Sequence, residues 1–214
     1  MLVRTWNLFH GKPSPSGRRA FLEQMIELVT RDGPDIVCLQ ELPVWSLPRL
    51  QQWSGMHAYG AVARRPLLPV GARTVTGLHH GLLRSACTGE ADAILTREPA
   101  RALWEQVVGE TRLRRIAHAV EVAGVTVVNF HIDGEREQFD RVLAAAPGRS
   151  IVAGDANLVS PAADGFSPPL AGSIDQILVR GLTMSDGPSA WPPERRTIDG
   201  RVLSDHAPVE AVVA

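Results

Sequence analysis

Apolar segments of strand length recur through this chain, and several of them follow one another with no helix between. Arg115 to Val122 and Val125 to Phe130 are separated only by Ala123-Gly124, a pattern that predicts a β-hairpin. The chain therefore does not show a regular alternation of strand and helix. The pattern favours an α/β protein in which mixed β-sheets are flanked by helices packed outside them.

The other elements are predicted from periodicity and from turn residues. A helix is predicted over Phe21 to Val29, where apolar residues recur at spacings of three and four. A second is predicted from Gly134 to Ala146, with Asp133 as its cap. Pro66 to Gly89 is predicted as a long connection that includes a strand near Arg73 to Val75. Residues 47–54 are predicted as a short helix, and further strands are predicted at Leu2 to Leu8, Asp35 to Glu41, Ala58 to Arg64, Ala91 to Thr96, Ser150 to Gly154, Ser173 to Arg180 and Pro208 to Val213.

Composition limits the class of protein. With 214 residues, 44% of them apolar, residues 1–214 are predicted to form one domain with a sizeable core, not a disordered chain. No apolar run approaches membrane-spanning length, and the first residues lack the apolar stretch of a signal peptide, so a cytoplasmic protein is expected. The two cysteines, Cys38 and Cys87, cannot form a disulfide scaffold, and Cys38 is expected in the core.

Charge is balanced overall but unevenly distributed. The net charge of −1 gives no general attraction to nucleic acid. Residues 49–115 hold ten arginines against five acids, and residues 116–214 hold seven against thirteen. This asymmetry suggests one region for an anion and another for a cation, although it also occurs on ordinary solvated surfaces.

Polar residues that can carry chemistry cluster at the ends of the predicted strands. Strand ends are where a rigid scaffold presents catalytic groups. Oxygen-bearing side chains gathered with histidines suit a hard divalent cation, whereas no Cys/His spacing typical of zinc is present. The residues at or just beyond strand ends are Asn7, Glu41, His131, Asp155, Asn157, Asp205 and His206, with Asp175 inside a strand.

These residues lie in motifs that follow one another in a recognisable order. They are Thr5-Trp6-Asn7, Asp35 to Glu41, Asn129-Phe130-His131, Gly154-Asp155-Ala156-Asn157, Ile174 to Leu178 and Ser204-Asp205-His206-Ala207-Pro208. In this the chain resembles the endonuclease/exonuclease/phosphatase superfamily. That superfamily comprises metal-dependent phosphoesterases such as deoxyribonuclease I, abasic-site endonucleases, neutral sphingomyelinases and inositol-polyphosphate 5-phosphatases. The resemblance implies a four-layer α/β/β/α sandwich of two packed mixed sheets flanked by helices.

The resemblance also implies roles for the residues at the metal. Glu41 would ligate Mg²⁺ or Mn²⁺ directly, with Asn7 and Asp205 nearby through an oxygen or a bridging water. The cation would neutralise phosphate charge and stabilise the leaving oxygen.

Further roles concern the attacking water and the phosphate. Asp155 would orient and deprotonate the water, and Asn157 would hold the phosphate. His206 would donate to a phosphate oxygen, with Asp175 fixing its tautomer and raising its pKa. His131 would be a second histidine on the phosphate side.

Other features depart from the family or extend it. Glu90, just before a predicted strand, falls where the partner of His131 is expected in the deoxyribonuclease-I-like branch. Asp92 replaces an expected asparagine, and only 17 residues separate Asn157 from Asp175, where many relatives carry long substrate loops. His10 follows the first motif and could approach the site.

Three functions remain open at the level of the sequence. The preferred function is a nuclease or related phosphodiesterase acting on DNA or RNA, which would use the basic middle segment for backbone phosphates. A phosphatase or phosphodiesterase for a small or lipid-borne phosphate is favoured by the compact loops. A catalytically silent binding module is disfavoured by the intact motifs. The arginines predicted to contact phosphates are Arg64, Arg65, Arg73, Arg84 and Arg115.

Overall fold

The computed structural model describes residues 1–15, 19–67, 87–110 and 113–214. The strands are β1 (Leu2–Asn7), β2 (Pro13–Ser14), β3 (Ile36–Leu42), β4 (His57–Arg64), β5 (Glu90–Thr96), β6 (Arg101–Gly109), β7 (Arg115–Val122), β8 (Val125–His131), β9 (Ser150–Asp155), β10 (Asp175–Arg180), β11 (Met184–Ala190), β12 (Thr197–Ile198), β13 (Arg201–Leu203) and β14 (Val209–Val213). The helices are α1 (Leu22–Thr30), α2 (Leu50–Ser54) and α3 (Arg136–Ala145), with short 3₁₀ turns at Phe9–Gly11, Val44–Arg49 and Pro193–Arg196.

Two large mixed sheets dominate the described part of the chain. One has the strand order β11-β14-β1-β3-β5-β4, and the other has the order β10-β9-β8-β7-β6. β1 pairs in parallel with β3, and β8 with β9, whereas the remaining pairings in these two sheets are antiparallel. A small third sheet, β12-β13-β2, carries the segment that leads to Ser204.

Three apolar clusters separate four layers, which confirms the α/β/β/α sandwich. Strand side chains alternate between the two faces of a sheet, so Val37 and Leu39 pack toward α1 and α2 while Cys38 packs between the sheets. On the far side, Phe130 packs against Phe139 of α3. Burial also raises the pKa of the Cys38 thiol, as expected for a core cysteine.

Most predicted elements are confirmed, with bounds shifted by a few residues. The β7–β8 hairpin turns at Ala123-Gly124, and the two helices predicted over Phe21–Val29 and Gly134–Ala146 are α1 and α3. Asp133 does not cap α3, whose N-cap is Glu135 without a side-chain cap bond. The predicted strand near Arg73 to Val75 lies outside the described residues.

None of the helices in the described ranges is both long and apolar enough to cross a membrane.

Candidate active site

Strand direction brings the predicted polar residues to one end of the sandwich, here called the site end. The parallel strands β1 and β3 both finish there, as do β8 and β9, where His131 and Asp155 are register partners. The antiparallel neighbours β5, β7 and β10 begin at the same end, so their first residues, Glu90, Arg115 and Asp175, join the group. Strand ends from both sheets therefore meet.

Glu41 reaches the site end because β3 contains a bulge. The pairing of β3 with β5 shifts from Leu39 opposite Ala93 to Leu42 opposite Ala91, which leaves one extra residue on β3. Glu41 takes up this irregularity with a left-handed backbone, φ 54°. Gln40 can therefore face the interior between the sheets while Glu41 turns toward the site.

Asn7 connects the carboxylates of the two sheets. Its Nδ2 lies 2.9 Å from Asp155 Oδ2 and 3.3 Å from Glu41 Oε1, and its Oδ1 accepts the N–H of Phe9 at 2.9 Å. Asn7 is fully buried and Asp155 almost fully. The amide nitrogen thus faces the charged groups, and the two acids share one donor.

Asp175 and His206 form the hydrogen-bonded pair expected from the sequence. His206 Nδ1 is 2.9 Å from Asp175 Oδ2 and 3.8 Å from Asp155 Oδ2. Burial lowers the pKa of His206, but Asp175 outweighs it and raises that pKa to about 9. Burial also raises the pKa of Asp175, so the two groups compete for one proton. We place it on the imidazole because a second carboxylate, Asp155, also faces the ring.

Glu90 lies beside His131 as expected, but Arg115 joins the pair. Arg115 Nη1 is 2.7 Å from Glu90 Oε1 and 3.0 Å from His131 Nδ1, and its Nε is 2.7 Å from Asp133 Oδ1. The direct distance from His131 Nδ1 to Glu90 Oε1 is 3.5 Å. The guanidinium and the imidazole therefore converge on one carboxylate oxygen.

The charges around His131 favour its protonated form. Burial lowers the pKa of His131, but Glu90 and Asp155 together raise it to about 9. For Glu90, burial opposes ionisation, but His131 and Arg115 lower its pKa to about 2. A protonated Nδ1 cannot accept from Arg115, so both N–H groups donate toward Glu90.

Asn157 and Asp205, the last two predicted site residues, lie on two loops. Asn157, with φ 48°, donates its backbone N–H to Asp155 Oδ1 at 2.9 Å and its Nδ2 to the Ile132 carbonyl at 2.9 Å. Asp205 is exposed beside His206, and Ser204 Oγ lies 3.3 Å from its Oδ1. Ser204 Oγ also donates to the Asn7 carbonyl at 2.7 Å, which ties this loop to the end of β1.

The donor set fits a hard divalent cation. Asn7 links the Glu41 and Asp155 carboxylates, and carboxylates held this close repel one another unless a cation or a proton intervenes. Within the described part of the chain, Asp155, Asp175 and His206 also form a group with the spacing of metal ligands, and their ligand atoms lie within 4.8 Å of one another. There His206 Nδ1 is used by Asp175, so oxygen donors on the Glu41 side suit Mg²⁺ or Mn²⁺ better.

A basic cleft lies beside this cluster. It encloses about 550 Å³ between the edge strands β4 and β6, and its described lining includes Arg64, Arg65, Arg114 and Glu105. Arg64 ends β4 opposite Glu90, and its Nε and Nη2 are buried with no hydrogen-bond partner among the described residues. Arg65 is exposed.

The other arginines predicted to contact phosphates are placed differently. Arg115 is buried in ion pairs with Glu90 and Asp133. Arg73 and Arg84 lie outside the described residues. His10 is buried on the turn after β1, with φ 55°.

Sequence reasoning missed two polar contributors near the site. Asn129, in the predicted Asn-Phe-His motif, crosses between the sheets and contacts the backbone of β3 and β5. Arg196 donates to the carbonyls of Leu203 and Ser204 and so supports the loop that carries Asp205. For Asn129, the signal was a polar residue inside an apolar strand. For Arg196, no local pattern pointed to the loop.

Several solved structures share the four-layer fold of this chain, which carries its carboxylate and histidine cluster at one end. The TM-score is 0.72 to an endonuclease/exonuclease/phosphatase from Beutenbergia cavernae DSM 12333, at 17% identity over 100% of this chain and 71% of that one. It is 0.70 to a functionally unknown conserved protein from Enterococcus faecalis V583, at 19% identity over 100% and 99%. It is 0.65 to D. rerio TDP2 complexed with single strand DNA product, at 17% identity over 100% and 98%.

Residues 5–206 match the model of the Endonuclease/Exonuclease/phosphatase family, so the chain belongs to that family. Membership places it among hydrolases of phosphoester bonds. A comparison with curated proteins finds no significant match.

Proposed function

We propose that this protein is a Mg²⁺- or Mn²⁺-dependent phosphodiesterase that hydrolyses polynucleotides, a nuclease. The proposal of a hydrolase depends on one observation, which is that Glu41, Asp155 and His131 come together from the two sheets. Asp155 Oδ2 lies 3.6 Å and Glu41 Oε1 lies 3.9 Å from His131 Nε2. Acids and protonated imidazoles at one point suit a reaction in which an anion accepts a proton and oxyanions gain charge.

Glu41 would ligate the cation directly, and Asp205 would lie near it through an oxygen or a bridging water. Asn7 is assigned to hold Glu41 and Asp155 through its amide nitrogen and to lie near the cation through a bridging water, because Phe9 already uses its oxygen. When bound, the cation supplies charge neutralisation for the phosphate and the leaving oxygen.

The chain's own residues then handle the water and the phosphate. Asp155, held by Asn7 and by the backbone of Asn157, would accept a proton from the attacking water. One P–O ester bond breaks and one P–OH bond forms, and the leaving oxygen takes a proton from solvent. Asn157, exposed on its loop, would hold the phosphate during this exchange.

Two protonated histidines would face the phosphoryl oxygens. His206 is oriented by Asp175, and His131 by Glu90 with Arg115. His206 would use its Nε2–H for the substrate while Asp175 occupies Nδ1. His131 is buried and its Nε2 faces Asp155 and Glu41, so its contact with the phosphate stays a prediction. Arg115 is assigned to orient His131. The predicted contact of Arg115 with substrate phosphate stays a prediction.

The basic cleft supports a polynucleotide over a small phosphate. Arg64 and Arg65 sit next to the site end, where a backbone phosphate flanking the scissile one would lie. TDP2, a protein of the same fold, was crystallised with a single strand DNA product. A phosphatase acting on a small-molecule or lipid head-group phosphate remains the second candidate, because the loop between Asn157 and Asp175 is short.

The test is a substrate panel with metal control. Purified protein with Mg²⁺ or Mn²⁺ is assayed against plasmid DNA, single-stranded DNA, RNA, a simple phosphodiester and phosphomonoesters. We expect cleavage of nucleic acid that disappears with EDTA and returns with added metal. Full activity after exhaustive chelation would overturn the metal assignment. Turnover of phosphomonoesters alone would favour the second candidate.

A matched pair of variants tests the cleft. Arg64→Gln should weaken nucleic-acid binding and reduce the dependence of log K on log[salt] by about one unit. Arg149→Gln is the control, because Arg149 is exposed just before β9, at the end of that strand opposite Asp155. Equal effects of the two variants would show that the cleft is not part of the surface that binds nucleic acid.

A further inference from the structure

A polar side chain from the second sheet lies against the bulge that presents Glu41. Asn129 on β8 is fully buried, and its Nδ2 is 3.0 Å from the Leu39 carbonyl of β3 and 3.0 Å from the Ala93 carbonyl of β5. Leu39 and Ala93 are the last register partners before the pairing shifts. Asn129 therefore bonds the two carbonyls next to the place where the sheet becomes irregular.

Further polar contacts surround the bulge. Gln40 Nε2 donates to Asn129 Oδ1 at 2.6 Å and to Thr5 Oγ1 at 3.0 Å. The N–H of Glu41 lies 3.3 Å from Asp92 Oδ1. A left-handed residue other than glycine persists only where its surroundings hold it, and these contacts hold the bulge around Glu41 from the neighbouring strand β5 and from the second sheet.

We propose that Asn129 is a positioning residue for the metal centre: it fixes the β3 bulge and thereby aims the Glu41 carboxylate. Because His131 lies two residues further along β8, the same side chain also sets Glu41 of one sheet relative to His131 and Asp155 of the other. This inference rests on the proposed function of Glu41 as a metal ligand. It assigns no contact between Asn129 and substrate.

The alternative is that Asn129 only stabilises the interior. Val127 provides the control, because it lies on the same strand two residues before Asn129 and packs between the same two sheets. A residue that only stabilises the fold would change metal binding no more than a packing variant does. A positioning residue would change metal affinity at equal foldedness.

The experiment measures Mn²⁺ affinity by electron paramagnetic resonance titration of the purified protein, without substrate. Asn129→Asp keeps the shape but removes the donor to both carbonyls, and Asn129→Ser is the second variant if the first does not fold. We expect the dissociation constant for Mn²⁺ to rise by about 10–100-fold, the range seen when groups supporting metal ligands are removed. Val127→Ala should change it by less than about twofold.

Glu41→Gln separates the two hypotheses. If Glu41→Gln loses Mn²⁺ while the Asn129 variant binds as wild type, or no more weakly than Val127→Ala, the positioning role is wrong and the metal assignment stands. If Glu41→Gln binds Mn²⁺ like wild type, the metal assignment itself fails, and the positioning role with it. Loss in Glu41→Gln with selective weakening in the Asn129 variant supports both.

Discussion

Two polar clusters lie on the same strands of the sandwich, one between the sheets and one at their ends, and they differ in charge. Between the sheets, Thr5, Gln40, Asn129 and His118 form hydrogen bonds with one another and with backbone carbonyls. One or two residues further along β1, β3 and β8 are Asn7, Glu41 and His131 of the site end. The inner cluster is neutral, whereas the site end gathers carboxylates and protonated rings.

The histidines show most clearly what this difference does. Burial without a carboxylate partner lowers the pKa of His118 to about 3. His131 and His206 are also buried, but neighbouring carboxylates outweigh the effect of burial and raise their pKa values to about 9. The same side chain is therefore kept neutral inside the sandwich and charged at its end, because only the end supplies opposite charges.

The largest expected effect comes from removing a charge at the site end. Asp155→Ala should lower turnover by about 10³–10⁴-fold, toward the upper range for general acid–base groups, because the attacking water loses its proton acceptor. The measurement is turnover number on the best substrate of the panel, at saturating metal. Asp140→Ala, an exposed acid on α3, is the control. Near-normal turnover in Asp155→Ala would remove Asp155 from the chemistry.

A smaller effect is expected from the carboxylate behind His206. Asp175→Asn keeps the shape but loses the charge, so the pKa of His206 falls and the ring is neutral more often at pH 8 than at pH 6. We expect turnover to fall about 10²-fold, with the larger loss at pH 8. The check is a pH–rate profile of wild type and variant, together with Mn²⁺ binding, which should survive.

The pairing is tested against a purely structural role by one further variant. If His206→Ala abolishes turnover while Asp175→Asn keeps it near normal at both pH values, Asp175 is a structural strand residue. Parallel losses would agree with a pair acting as one unit.

The sequence predicted the buried strands and the site end better than the edges. β3, β8 and β9 carry dense apolar runs, and Glu41, His131 and Asp155, at or next to their ends, were predicted as site residues from position and motif. β6 and β11 were missed, because they are edge strands with exposed or polar residues such as Arg101 and Asp186. Edge strands bury little and so leave a weak periodic signal.

Contacts between distant strand starts were the hardest to predict. Asp133 has the local pattern of a helix cap, yet it pairs with Arg115, 18 residues earlier in the chain. Arg115 also enters the Glu90–His131 pair, because β5 and β7 both begin at the site end. Only the topology of two sheets creates that contact, so no spacing in the sequence indicates it.

The smallest expected effect concerns the inner cluster and its stability in acid. His118 stays neutral in the folded protein down to about pH 3, whereas in the unfolded chain it gains a proton below its ordinary value of 6.5. Its folded pKa is depressed, so its contribution to stability is complete above pH 6.5 and is lost as the pH falls toward 3. The slope is about 1.4 kcal/mol per pH unit. Between pH 6.5 and 4.5, wild type should therefore lose roughly 2–3 kcal/mol more of its unfolding free energy than His118→Gln, measured by urea titration.

Glutamine keeps a polar group near Asn129 Nδ2, which lies 3.2 Å from the ring, but does not titrate. Equal acid sensitivity of the two proteins would mean that His118 is protonated in the folded state, and the contrast between a neutral interior and a charged end would fail.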